Sequence, residues 1–99
     1  MINLEQAKAI AKSKLEEIQS KTNYELMLLE DQILSFEFGW VFFYQSADYI
    51  ATGNQVSMLG GNAPFLVDKY DGNVFLTGTR KDIHEYINIF TEFKKAWLS

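Results

Sequence analysis

Three features of the sequence predict an α+β domain: a helix, a four-stranded antiparallel meander and a second helix, with both helices on one face of the sheet. Apolar residues recur at helical spacing near both ends of the chain. Residues 35–45 alternate almost without fault, as a strand does. The Asp71-Gly72 pair separates two further apolar runs and signals a hairpin turn. Strands flanked by helices belong to the α+β class. A chain of 99 residues suits one domain over residues 1–99.

Asn3 and Gln6 fit a capping box, so the first helix is expected from Leu4 to Ser20. Leu4, Ala7, Ala11, Leu15 and Ile18 form its apolar stripe, and Lys12 with Glu16 and Glu17 with Lys21 are expected surface pairs. Residues 24–30 are expected to form a strand that turns at Glu30-Asp31-Gln32 into the central strand. On that strand Phe36, Phe38, Trp40, Phe42 and Tyr44 share one wholly aromatic side, which must be buried; Glu37, Val41 and Phe43 lie on the other. Gly39 marks a bulge, a bend or a close backbone approach.

Residues 46–62 hold Gly53, Gly60 and Gly61 among apolar residues and are expected to form an ordered irregular loop, with a helical turn near residues 56–59. Pro64 opens the next strand, expected over residues 65–70, and residues 73–79 return. Asp82 and Glu85 start the last helix, whose stripe is Ile83, Tyr86, Ile87, Phe90, Phe93 and Trp97. Trp40 and Phe42 are expected beneath Ile83, Ile87 and Phe90 of that stripe.

Hydrophobic residues make up 47% of the chain, enough for a core without staples. The absence of cysteine excludes disulfides, thiolate metal sites and a cysteine nucleophile. The net charge of −4 disfavours phosphate backbones and suits a basic protein partner. No apolar run approaches the roughly 20 residues of a membrane span, and no basic n-region precedes an apolar stretch. The expectation is a cytoplasmic protein with no membrane, nucleic-acid or small-molecule substrate.

His84 is the one histidine, and it falls on the polar side of a helix with no nucleophile motif beside it. Glu16 with Glu17, Glu30 with Asp31, and Asp68 with Asp71 stand in no spacing that demands acid–base chemistry and are expected on solvated surface. Gly60-Gly61-Asn62 has no following Lys-Ser/Thr and does not open a helix, so it is not a phosphate loop. With no nucleophile motif, metal cluster or cofactor loop, the chain reads as a binding protein, with no catalytic residue, metal or cofactor.

Three stretches carry a resemblance: Gly39-Trp40-Val41-Phe42-Phe43-Tyr44-Gln45-Ser46, Gly61-Asn62-Ala63-Pro64-Phe65-Leu66-Val67-Asp68, and Asp71-Gly72 followed by Thr77-Gly78-Thr79. Together, over about residues 38 to 86, they resemble the YrhB-like family of small bacterial proteins, grouped with immunity proteins of polymorphic toxin systems. The resemblance implies a bacterial cytoplasmic protein that neutralises a cognate toxin by binding it. One branch of the family implies a holdase-like chaperone instead. The shared residues Trp40, Phe42, Pro64 and Gly72 look structural, so residues that recognise a toxin are expected elsewhere. The long loop supplies an aromatic anchor, adaptable polar groups and a charged rim. The expected partner-binding residues are Asp48, Tyr49, Asn54, Gln55 and Met58, with Glu37 extending the acidic surface from the outer face of the central strand.

Overall fold

The computed structural model describes residues 1–22, 24–53 and 63–98. Helix α1 (Leu4–Gln19) starts at the capping box expected: Gln6 N donates to Asn3 Oδ1 at 2.8 Å, and Asn3 N donates to Gln6 Oε1 at 2.9 Å. Two amides that would lack helical partners are thereby satisfied. Ala7, Ala11 and Leu15 are buried along its inner face. Ion pairs on its surface join Lys8 to Glu5 and Glu30, and Lys14 to Glu17.

Strand β1 (Leu26–Leu28) leads through a 3-10 turn (Glu30–Gln32) to β2 (Leu34–Phe36), β3 (Gly39–Phe42) and β4 (Tyr44–Ser46). After the short helix α2 (Ala47–Thr52) come β5 (Phe65–Asp68), β6 (Val74–Leu76) and α3 (Ile83–Leu98). A four-stranded antiparallel sheet has the order β2-β3-β5-β6, and β1 pairs antiparallel with β4.

The single central strand expected over residues 35–45 is replaced by a hairpin and a break. Phe36 pairs with Gly39 across a turn at Glu37 and Phe38, and Phe43 interrupts the ladder between β3 and β4. A two-residue turn puts residues 36 and 39 on the same sheet face, so the parity of the alternation switches there. Phe36 and Phe38 therefore join one core while Trp40, Phe42 and Tyr44 join another. Gly39 is required where β3 meets β5: a Cβ there would collide with the Val67 carbonyl oxygen.

The two helices lie on opposite faces of the sheet, not on one. Ala7, Ala11 and Leu15 of α1 pack with Leu26, Phe42, Tyr44, Phe65 and Val67. Phe90 of α3 packs with Phe38, Val41 and Leu66, flanked by Ile83 and Ile87. Trp40 and Phe42 thus lie beneath α1, and Val41, expected on an outer face, lies beneath α3. The reason is in β5, where Phe65, Leu66 and Val67 are all buried. A strand apolar on consecutive residues must be covered on both sides.

The β5–β6 turn places Gly72 at φ 75°, the left-handed region glycine enters at no steric cost. Its amide donates to Asp68 O at 2.8 Å, and Asn73 N donates to Asp71 Oδ1 at 2.9 Å. Part of the segment expected as irregular is α2. Ser46 caps it by accepting from Tyr49 N at 3.1 Å, and Gly53 ends it at φ 70°. The helical turn expected near residues 56–59 lies outside the described residues.

Candidate partner-binding surface

Helix α3 has 16 residues, about 24 Å of rise, whereas each strand it covers has three or four residues, about 10–13 Å. Its last turns therefore run past the strands onto the β5–β6 turn. Phe90 is buried, but Phe93 is 57% exposed and Trp97 63% exposed. The aromatic stripe of α3 thus divides, with its C-terminal half on the surface. Ile89, also exposed, precedes Phe93 and Trp97 by four and eight residues, so the three share one helix face. Phe75 of β6 continues that face: its ring meets Phe90 edge-on at 4.9 Å and Phe93 at 6.3 Å. Leu66, Phe75, Ile89 and Phe93 line an apolar groove between β6 and α3. By helical geometry Glu85 and Glu92, both exposed, border the solvent side of this stripe.

Beneath the C-terminal end of the face lies a buried ion pair. Lys94 Nζ is 2.6 Å from Asp68 Oδ2, with side-chain exposures of 4% and 3%. Asp71 Oδ2 is 3.7 Å from the same ammonium, and Asp68 Oδ1 accepts from Tyr70 N at 2.8 Å. The hydrogen bond to Asp68 pushes the Lys94 pKa above the usual lysine value. Burial opposes it, and the charges of Asp68 and Asp71 add to the rise. Lys94 Nζ also stands 4.1 Å from the centroid of the Trp97 ring. That cation–π contact fixes an otherwise solvent-facing indole. Such a face suits protein recognition: a rigid aromatic anchor, apolar neighbours and a charged rim.

The residues expected to bind a partner are placed unevenly. Glu37 is exposed in the β2–β3 turn, not on the outer face of a strand. Asp48 is exposed and Tyr49 half-buried on α2. Glu37 precedes β3 and Asp48 follows β4, so the two lie at opposite ends of that run and are not brought together. Asn54, Gln55 and Met58 lie outside the described residues. Asp68, expected on the solvated flank of the hairpin, is buried against Lys94 because it shares the sheet face of Leu66. Sequence reasoning passed over Lys94. Its signal was present: Lys94 follows Phe90 by four residues and so sits within the apolar stripe. His84 is exposed, and its backbone N donates to Asp82 Oδ2 at 3.0 Å. Among the described residues no group of three or more His, Cys, Asp and Glu side chains could hold a metal ion. No described helix is long and apolar enough to cross a membrane.

The chain is similar to the protein described as "Uncharacterized protein YrhB" of Escherichia coli (strain K12), with 39% identity over 61 residues. The alignment covers 62% of this chain and 64% of that relative, less than two thirds of its length. No solved structure matches at the same stringency. A family model described as Immunity protein 35 matches residues 5–88, from α1 through the first turns of α3. That match spans well over half of the sequence, and the chain belongs to the Immunity protein 35 family.

Proposed function

We propose that this protein binds a cognate toxin domain through the α3–β6 face and occludes the toxin's active site or substrate path. The observation that carries the reading is the exposed stripe of Ile89, Phe93 and Trp97, continued by Phe75. The family match ends at residue 88, short of Phe93 and Trp97. A scaffold shared by a family, with part of the recognition surface (Ile89, Phe93 and Trp97) beyond its matched region, suits a protein whose partner is specific to it. The net charge of −4 and the Glu85–Glu92 border suit a basic toxin. A second contact is proposed at α2, through Asp48 and Tyr49.

The test is to look for a toxin reading frame beside the gene and to measure protection of cells that express its product, together with binding of the purified pair. Phe93→Asp is expected to abolish protection with only a small drop in melting temperature, since more than half of that residue already faces water. Tyr49→Ala is expected to weaken binding by about 1–3 kcal/mol, mostly through faster dissociation. A drop in melting temperature with unchanged affinity would make Tyr49 a structural cover for the sheet. Failure of the wild-type protein to bind the toxin, with suppression of aggregation of a denatured client, would replace the immunity reading with a holdase one.

A further inference from the structure

We propose that the partner engages this face as an added β-strand. An extended, apolar segment flanked by basic residues pairs with the edge of β6, where the described sheet ends, and sets alternate side chains into the β6–α3 groove. The inference rests on the toxin-binding reading and specifies how binding occurs.

The backbone geometry points to the edge. Asp68 N donates to Asn73 O at 2.9 Å, and Thr77 N donates to Pro64 O at 3.4 Å. Residues 73 and 77 therefore turn their polar groups toward β5. Alternation gives Phe75 the same direction, and Val74 and Leu76 the opposite one. The N–H and C=O groups of Val74 and Leu76 point away from the sheet, and Leu76 is 66% exposed. Natural edges are commonly blunted by charge, proline or a covering group. On β1 such a cover exists: Gln19 Oε1 accepts from Leu26 N at 2.7 Å. Val74-Phe75-Leu76 carries no charge and no proline, and the groove beside it is apolar. The opposite edge, β2, exposes Ser35 and keeps Leu34 and Phe36 half-buried.

An added strand would bond to the outward groups of Val74 and Leu76. Every second side chain would enter the space between Phe75, Ile89 and Phe93, as in domains that take peptides between a sheet edge and a helix. Charge selects the occupant. Glu85 and Glu92 border the groove on its α3 side, so a second copy of this chain would bring two acidic borders together, whereas basic flanks on a foreign strand complement them. On the α1 side of β6, Lys14 and Glu17 stand near Ile18 and Leu76 and carry both signs, so that side selects less.

The experiment is amide hydrogen exchange on the full chain, free and bound to a catalytically inactivated form of the toxin found by the reading-frame search, alongside affinity measurements on Leu76→Pro. Proline at residue 76 removes an outward donor and leaves the bonds of residues 73, 75 and 77 to β5 intact. The expected result is strong protection of the Val74 and Leu76 amides on binding. Leu76→Pro is expected to lose about tenfold or more in affinity. Toxin binding with those two amides exchanging as in the free protein overturns strand addition and leaves the immunity reading standing. Protection of the same amides in the free protein at high concentration, with dimers in sedimentation, overturns it in favour of self-association. Absence of toxin binding by the wild-type chain removes the parent reading and this inference with it. The exchange measurement needs no variant, so it decides the matter even if Leu76→Pro fails to fold.

Discussion

Lys94 and Asp68 show how one buried pair positions a surface. Removing one partner strands the other charge among apolar neighbours, which commonly costs about 3–5 kcal/mol, while replacing both with apolar side chains is often close to neutral. Lys94→Met is therefore expected to lower unfolding stability by about that amount, and Asp68→Leu with Lys94→Met to recover most of it, as urea denaturation would measure. The pair also sets a pH dependence. Lys94 has a raised pKa in the folded state, so the native protein holds that proton more tightly than the unfolded chain does. Its contribution is complete below the unfolded lysine value of about 10.4 and is lost as pH rises through the folded value. Tyr44, raised by burial, acts in the same direction. Stability is expected to fall on the alkaline side of about pH 10, and less steeply in Lys94→Met than in the parent.

The elements repeat this lesson about alternation and coverage. Phe42 is fully buried beneath α1 and stacks on Phe65 at 6.0 Å. Phe42→Ala is expected to cost about 3–5 kcal/mol, a large share of a small domain's stability, as thermal or urea unfolding would show. The capped first helix, the proline-led β5, the Asp-Gly turn and the last helix were legible because each has a local chemical cause. The β2–β3 turn was not, because Glu37-Phe38 has no sequence mark of a turn and the aromatic alternation passes through it unbroken. Helix α2 had its marks in Ser46 and Gly53, a cap at each end, but its six residues show no stripe long enough to reveal a period. The placement of the helices was also hidden in the strands. Burial of three consecutive residues in β5 settles it, and a short apolar run reads alike from sequence whether one face or both are covered. The exposed end of α3 was hidden for a related reason: periodicity shows which residues share a face, not how far the sheet beneath them extends.

Taken together, the layers are helix, sheet and helix, with the apolar reserve of α3 left over at one end. If that end meets a basic toxin, charge governs the encounter and apolar contact governs residence. Glu85→Lys with Glu92→Lys is expected to slow association and to reduce its sensitivity to salt, with little change in melting temperature, because both side chains stand in water. Stopped-flow association at low and high ionic strength would measure this. An unchanged rate at both salt concentrations would remove the acidic border from the recognition surface.

Burial of β5 on both sides also bears on descent. Residues 65–68 have no side that can drift without disturbing one of two cores. Positions 76, 89, 93 and 97 meet solvent and constrain little of the interior. If that rim meets the toxin as proposed, a few codons there can change which toxin is bound and leave the founding architecture untouched. Aromatic residues left in water impose a solubility burden on a single molecule; on the proposed reading, that burden is what leaves room to follow a changing adversary.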